Sequence, residues 1–414
     1  VIGKGGREHA LVHAVSRSGR VRKIYAAPGN PGMAQLAECV NISDSDVDGL
    51  LAFAKEKHID LTIVGPEHTL SLGVVDAFQK EGLKIFGPTK DAAQVETSKD
   101  FSKKIMDKYG IPTARYHTFD TMKDAIRYVE KQGVPIVIKE DGLKAGKGVT
   151  VAHEMDEAIE AIETAFSIPG NKVVIEECLT GFEFSLICFV SGDMVIPCEI
   201  AQDHKCVGDG DTGPNTGGMG VYSPVHTITK EIIDEAMNNV MLPMASAMVK
   251  EGHSFTGFLY GGLMLTEHGV KTIEFNARFG DPEAQVVLPR MKNDIIEVME
   301  ACVNGTLDQV DLQFEDNAAV CVVLASDGYP VKYEKGIPMY GFENFKGKDG
   351  YYCFHAGTKL KDGQIVTNGG RVLGITATGK DLKEARKNAY EATEWITFAN
   401  KYMRHDIGKA IDEA

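Results

Sequence analysis

Asp141-Gly142-Leu143-Lys144-Ala145-Gly146-Lys147-Gly148, followed by Val149-Thr150-Val151, decides between two different folds. A Walker phosphate loop reads G-x-x-x-x-G-K-[ST] and opens a helix. Here the order is G-x-x-x-G-K-G, and the β-branched residues after it return into a strand. With the apolar run Ile136 to Lys139 before it, the segment is predicted to be a hairpin tip. Such a hairpin, carrying Lys144 and Lys147, can fold over phosphates with its backbone amides and then reopen. Lys139 closes the apolar strand, and burying its ammonium unpaired would be costly. The expectation is an anion beside it, with a snorkelling exit to the surface as the alternative.

A second segment could face that hairpin: Ile273-Glu274-Phe275-Asn276-Ala277-Arg278-Phe279-Gly280-Asp281-Pro282-Glu283. If Lys271 to Asn276 form a strand, Glu274 and Asn276 share one face, and Ile273 and Phe275 point into a core. A carboxylate and an amide carbonyl are hard oxygen donors. They suit Mg²⁺, which takes one or two protein oxygens and fills its shell with waters and substrate phosphates. Arg278 has the same parity and would share the anion held by the metal. The pattern suggests a nucleoside triphosphate site, although a solvated edge strand would show the same alternation.

A chain of 414 residues is long enough for two to four domains, and 43% hydrophobic with 25% charged residues suits a globular enzyme. Its 44 basic against 59 acidic residues give −15, which argues against nucleic acid or an anionic membrane as the main partner. The eight cysteines show no C-x-x-C pair and read as reduced, buried thiols of a cytoplasmic protein. No apolar run reaches the roughly 18 residues of a membrane helix, and the start carries no signal-peptide pattern. The chain opens inside a strand, at Val1-Ile2, so upstream residues are expected to be missing.

Residues 1–90 read as an open parallel α/β sheet. Apolar runs at Val1-Ile2, Lys23 to Ala26, Leu61 to Val64 and Lys84 to Phe86 each end in glycine or proline clusters, which would sit at the ligand-binding carboxyl edge. Residues 91–317 change texture, with a helix at Lys99 to Tyr109, a small lobe over about 113–180, a helix at Lys230 to Glu251 and the hairpin carrying Glu274. Residues 318–414 read as an α+β cap poor in chemical groups. Its strands run from Ala318 to Ala325 and Arg371 to Thr378, and Asp381 caps a helix on which Leu382, Ala385, Ala389, Ala392 and Trp395 or Ile396 fall at helical spacing.

Three further stretches carry chemistry. Gly3-Lys4-Gly5-Gly6-Arg7-Glu8 starts like a dinucleotide fingerprint, but Glu8 replaces the third glycine and would crowd the helix against the sheet. That disfavours a nicotinamide cofactor and leaves room for one phosphate at the helix N-terminus, helped by Arg7. Glu176-Glu177-Cys178-Leu179 ends an apolar strand whose backbone could hold an adenine edge, with Glu183 on the ribose; solvated acids would look the same. Asp203 to Gly220 interleaves polar side chains with six glycines and reads as an ordered loop for a small zwitterion or sugar phosphate. The histidines are scattered singly and read as structural.

These motifs together resemble the glycinamide ribonucleotide synthetases of the ATP-grasp superfamily. The match runs through Gly3 to Ala10, IVIK at 136–139, AGKGV at 145–149, DHK at 203–205, DTGPNTGGMG at 211–220, EFNARFGDPE at 274–283, FHAGT at 354–358 and TNGGRV at 367–372. The resemblance implies a parallel α/β domain, a two-lobed ATP-grasp domain and an α+β cap. It implies ligation of glycine to 5-phosphoribosylamine by a monomer using ATP and Mg²⁺, with Mn²⁺ as an alternative ion. By it, Lys99 and Lys139 contact ATP phosphates, and Gly142, Lys144, Gly146, Lys147 and Gly148 cover them. Glu176, Glu177 and Leu179 would hold adenine, Glu183 the ribose, and Glu274 and Asn276 the metal. Glycine and the transferred phosphoryl group would lie among Asp203, His204, Lys205, Asp211, Thr212, Asn215, Thr216, Gly217 and Gly218, together with Arg278, Gly280, Asp281, Pro282 and Glu283. Arg278, Lys139 and Asp211 would be catalytic, and Gly5, Gly6 and Arg7 would receive the ribosylamine phosphate. Glu140 and Lys144 stand where small residues are usual and could pair, worth under about 1 kcal/mol if exposed. Phe182 stands where the family has an acidic residue.

Overall fold

The computed structural model describes residues 1–144 and 146–409. Ile2–Gly3 pairs in parallel with Tyr25–Pro28, which pairs with Glu38–Cys39; a bridge from Ile2 to Val64 brings in Thr62–Ile63 and its parallel partner Ile85–Phe86. The four predicted strands are present. Glu38–Cys39 is a fifth, two residues long and too short to show a pattern. Glu8 does not push the helix Gly6–Ser16 away from the sheet. Its side chain fills space left by two glycines, since a Cβ at Gly3 or Gly65 would fall 2.4 or 2.3 Å from Glu8 atoms. There it accepts the Gly5 backbone N–H at 2.9 Å and caps the helix.

The small lobe is an antiparallel sheet in the order Tyr116–Phe119, Val173–Glu177, Ile136–Glu140, Val149–Ala152, so residues 141–148 do form a hairpin tip. Helices Met122–Gln132 and Met155–Phe166 cover it with a core of their own, including Val129 and Ile162. The large lobe has Phe182–Ser191 paired with Thr256–Thr266, which pairs with Gly269–Asn276. The helix expected at 230–251 is Lys230–Ala236 and Leu242–Lys250 joined through a π turn at Met237–Met241.

One register shift matters for the cleft. Gly262 opposes Glu274, but Leu263 opposes Thr272, so Ile273 is the extra residue of a bulge. Phe275 reaches the core as predicted, whereas Ile273 does not and lines the cavity instead. Strict alternation fails at the bulge.

The terminal domain opens with the strand Ala318–Ser326. Its sheet, built on Ala318–Ser326, Arg371–Gly379 and Tyr351–His355, is extended by Gly220–Ser223 and Gln202–Asp203. The segment 203–220 is therefore not a loop. Cys206–Gly208 and Thr212–Asn215 form a hairpin within it. Asp381 caps its helix by accepting the Glu384 N–H at 2.8 Å, and Leu382, Ala385, Ala389 and Ala392 are buried. The first and last domains meet at a polar seam. Asn30 donates to the carbonyls of Lys4 and His355 at 2.9 and 2.8 Å, and the His355 backbone N–H donates to His9 Nδ1 at 2.8 Å. His9 and His355, 346 residues apart, thus meet in space, with ring centroids 5.7 Å apart. All eight cysteines are free, but only Cys188, Cys198, Cys302 and Cys321 are buried, and the other four are half-buried. No helix among the described residues is long and apolar enough to cross a membrane.

Candidate active site

Beneath the hairpin lies a cavity of about 250 Å³ walled by both lobes and by both outer domains. Gly269–Asn276 delivers Glu274 and Asn276 to it, and the turn that follows delivers Arg278, Asp281 and Glu283. Burial raises the Glu274 carboxyl, but Lys205, Lys139 and Lys99 outweigh it and hold the group below its ordinary range. With the Asn276 amide turned so that its donors are satisfied, Nδ2 reaches Glu96 Oε1 at 3.2 Å and the Phe275 carbonyl at 3.1 Å, leaving the carbonyl oxygen out of both bonds. Arg278 is clasped by Glu96 Oε1 at 2.9 Å and Glu67 Oε2 at 3.2 Å. Burial works against the Arg278 charge, but the two carboxylates win and raise it further. Burial also raises Glu67, yet Arg278 and Arg7 pull it down to about 2. Glu96 also accepts the Ala277 N–H at 2.8 Å. Sequence reasoning missed Glu96, and reached Glu67 only as part of the Gly65-Pro66-Glu67 cluster expected at the carboxyl edge of the sheet.

The anion expected beside Lys139 belongs to the protein. Lys139 Nζ lies 3.0 Å from Glu176 Oε1 and donates to the Ile273 carbonyl at 3.0 Å. Lys103 shares the same oxygen at 3.2 Å and donates to Thr113 Oγ1 at 2.7 Å. Burial lowers Lys103 to about 8 against the pull of Glu176. Glu176 is therefore no solvated strand exit; Glu177 takes that place, paired with exposed Arg115 at 2.9 Å. Lys103 was missed, although it sits four residues after Lys99 and so on the same face of the helix Lys99–Tyr109.

The hairpin is tied at its base. Asp141 Oδ1 accepts the N–H groups of Lys99 and Asp100 at 2.6 and 3.4 Å, capping that helix, and Lys99 Nζ donates to the Gly142 carbonyl at 3.0 Å. Glu140 and Lys144 pair at 2.9 Å as anticipated. At Gly146, with φ of +77°, a Cβ would lie 3.5 Å from the Thr216 carbonyl, so the tip reaches the opposite wall.

At the N-terminal turn the structure departs from expectation. Arg7 is buried and bound to Glu8 at 2.9 Å and to the Phe279 carbonyl at 3.2 Å, and its backbone N–H donates to Asp281 Oδ2 at 3.3 Å. Protein carboxylates thus occupy a helix N-terminus predicted to hold a phosphate. The terminal domain, in turn, is not chemically sparse. Arg371 enters the cavity, donating to the Asp281 carbonyl at 2.8 Å and lying 3.7 Å from its carboxylate. Buried Arg404 holds the 206–215 hairpin through the Cys206 carbonyl and Asp211 Oδ1, both at 3.0 Å.

Of the predicted site residues, the cavity gathers Arg7, Lys99, Lys139, Gly142, Lys144, Gly146, Gly148, Glu176, Lys205, Thr216, Gly217, Glu274, Asn276, Arg278, Asp281 and Glu283. Lys147, Glu183, Asp203, His204, Asp211 and Asn215 line a neighbouring open groove. Asp211 is 73% exposed in its side chain and is not brought to Lys139 and Arg278. Gly5, Gly6, Glu177, Leu179, Thr212, Gly218, Gly280 and Pro282 line neither space. Thr216 braces the wall, accepting the Gly218 N–H at 2.9 Å and donating to the Lys205 carbonyl at 2.8 Å. Burial pushes the Glu283 carboxyl up to about 8, with Asp203 adding to the effect.

Two α+β lobes that close a lysine-lined, glycine-capped cavity against an acidic strand define an ATP-grasp ligase. Residues 1–96, 97–284 and 319–410 match the N domain, the ATP-grasp (A) domain and the C domain described for phosphoribosylglycinamide synthetase. The chain belongs to that family, the phosphoribosylamine–glycine ligases of purine biosynthesis. It is 50% identical over 419 residues to the phosphoribosylamine–glycine ligase of Halalkalibacterium halodurans, covering 100% of this chain and 97% of the other. The Caldanaerobacter subterraneus subsp. tengcongensis enzyme is 49% identical over 412 residues, covering 98% of each. The crystal structure of the Thermotoga maritima phosphoribosylamine–glycine ligase superposes with a TM-score of 0.83 at 33% identity, covering 98% of both chains. A biotin carboxylase from Campylobacter jejuni shares the fold at a TM-score of 0.72 and 14% identity, covering 97% of this chain and 91% of that one.

Proposed function

We propose that the protein, as a cytoplasmic monomer, joins glycine to 5-phosphoribosylamine at this cavity, with conversion of ATP to ADP and phosphate. The observation that carries the reading is the convergence of Glu274, Asn276 and Arg278 with Lys99 and Lys139 under one glycine hairpin. Glu274, held anionic, and Asn276, with its amide nitrogen turned away onto Glu96, fit Mg²⁺ or the alternative Mn²⁺, which would screen the phosphate charge of ATP. Lys99, Lys139 and the hairpin amides would neutralise the phosphates. The backbone of Glu176 to Leu179 would hold adenine, and Glu183 the ribose.

A glycine carboxylate oxygen attacks the γ-phosphorus, the bond to the β-phosphate oxygen breaks, and ADP leaves. Arg278, fixed by Glu67 and Glu96, is placed to stabilise the phosphoryl oxygens as charge shifts. The amine of phosphoribosylamine then attacks the acyl carbon of glycyl phosphate, losing one proton as phosphate departs. Arg7 and Arg371, both lining the cavity, would meet the sugar phosphate. About 250 Å³ lies below the usual 300–1,000 Å³ of a ligand pocket, so the hairpin must lift to admit ATP and its co-substrates.

The test is ADP release by the protein supplied with ATP, Mg²⁺, glycine and freshly generated phosphoribosylamine. Release is expected only with both co-substrates present. ADP formation indifferent to glycine would sink the reading.

A further inference from the structure

Lys139 is assigned to the phosphates of ATP, yet its ammonium is already engaged. Glu176 Oε1 lies 3.0 Å away, and the Ile273 carbonyl accepts from it at 3.0 Å. Lys103 shares that carboxylate oxygen at 3.2 Å. The side chains of Lys103, Lys139 and Glu176 are only 3%, 5% and 4% exposed, so water does not stand in for a lost partner. A buried carboxylate stripped of its last cation is strongly disfavoured, and with Lys139 as its sole cation Glu176 would hold that lysine back from any ligand. Two cations remove the conflict. Resting on the ATP-ligase reading above, we propose that Lys103 is a positioning residue, which keeps Glu176 paired while Lys139 turns from that carboxylate to the nucleotide phosphates.

The two lysines are held differently. Lys103 projects from the helix Lys99–Tyr109 and adds two hydrogen bonds to its ion pair, donating to Thr113 Oγ1 at 2.7 Å and to the Ala114 carbonyl at 3.3 Å. Thr113 is itself fixed, donating to the Thr272 carbonyl at 2.7 Å. The Tyr116 ring, with its centroid 5.4 Å from Lys103 Nζ, adds a cation–π attraction. Lys139 has a single hydrogen bond, to the bulge residue Ile273, and so is the cation that can move. Its departure also favours the partner left behind. Burial, and after it the nearby charge of Lys139, holds the Lys103 ammonium down to about 8 against the pull of Glu176. Once Lys139 swings to a phosphate, that repulsion falls and Lys103 is more firmly charged when Glu176 depends on it alone.

The test is the Kd of a non-hydrolysable ATP analogue with Mg²⁺, measured by calorimetry so that no turnover is needed. Lys103→Met should weaken binding about 30-fold, while kcat at saturating ATP and the KM for glycine change by less than about threefold. Lys103→Arg keeps the cation and should stay within about fivefold of the wild type. With Glu176 already replaced by Gln, adding Lys103→Met should cost less than about threefold, because no buried anion is left to strand. An equal loss in both backgrounds, or a loss that falls on glycine as much as on the nucleotide, would overturn the proposal. Should Lys103→Met fail to fold, a crystal structure of the wild-type protein with the analogue and Mg²⁺ decides. Lys139 on the phosphates with Lys103 still paired to Glu176 is expected, and Lys139 still on Glu176 overturns the assignment. Wild-type protein that binds the analogue but releases no glycine-dependent ADP would overturn the ligase reading, whereas normal wild-type turnover with an unchanged Kd in Lys103→Met overturns the Lys103 assignment alone.

Discussion

On one side of the cavity Arg278 is gripped by Glu96 at 2.9 Å and Glu67 at 3.2 Å, and Asn276 leans on Glu96; on the other, the hairpin tip is held near Thr216 and by a half-buried Glu140–Lys144 pair. The first wall draws its braces from a different domain, so its charges are oriented before any substrate arrives. The second has its anchor at the base, where Asp141 caps the helix Lys99–Tyr109 and Lys99 holds the Gly142 carbonyl. A fixed electrostatic wall facing a hinged one is what a ligase needs if it must admit ATP and then exclude water from an acyl phosphate.

The sharpest way to break this contrast is at the fixed wall. Glu274→Ala should lower kcat by about 10³-fold while the melting temperature holds, because the carboxylate is surrounded by lysines and serves the ligand rather than the fold. Near-normal ADP release in that variant would refute the metal assignment. Arg278→Ala should cost about 10²-fold in kcat, and about 3 kcal/mol of stability in a urea titration, since it strands Glu67 and Glu96 inside the protein. Loss of activity without loss of stability would mean the clasp is not structural.

Much of this contrast was legible in the sequence. The broken Walker pattern placed the hairpin, and period-two alternation placed Glu274, Asn276 and Phe275. What escaped were consequences of tertiary contact. Ile273 left the core because of a bulge that no local pattern announces. Lys139 found its anion in Glu176, an acid indistinguishable in sequence from solvated Glu177. Glu96 and Arg371 reach the cavity from segments that look like ordinary helix and strand, and only the packing of three domains gives them a role. Asp211 shows the converse: a residue in a highly particular motif that the fold spends on Arg404.

Away from the cavity, the seam between the first and last domains can be probed by pH. Burial lowers His355 to about 4, and burial with Arg17 lowers His13 to about 4. These rings are neutral when folded. Below the ordinary histidine value of 6.5 the unfolded chain gains protons while the folded one does not, so stability present above 6.5 is lost as pH falls towards 4. His355 alone would contribute about 3 kcal/mol across that window. Replacing it by His355→Phe should flatten the slope of unfolding free energy against pH between 4.5 and 6.5 by about 1 kcal/mol per unit. An unchanged slope would show that the seam does not couple to the protons.

The smallest effects belong to the hinged wall. Lys144 and Glu140 retain 24% and 19% side-chain exposure, so their attraction is screened. Lys144→Ala and Glu140→Ala should each change stability by less than about 1 kcal/mol. Their kinetic signatures should differ. Losing Lys144 removes a cation from the phosphate cover and should raise the KM for ATP roughly fivefold, whereas losing Glu140 frees Lys144 for the nucleotide and should lower it slightly. If Lys144→Ala instead destabilises the protein as much as Arg278→Ala, the hairpin is a fixed part of the fold, and ATP must enter through the open groove beside His204 and Arg404.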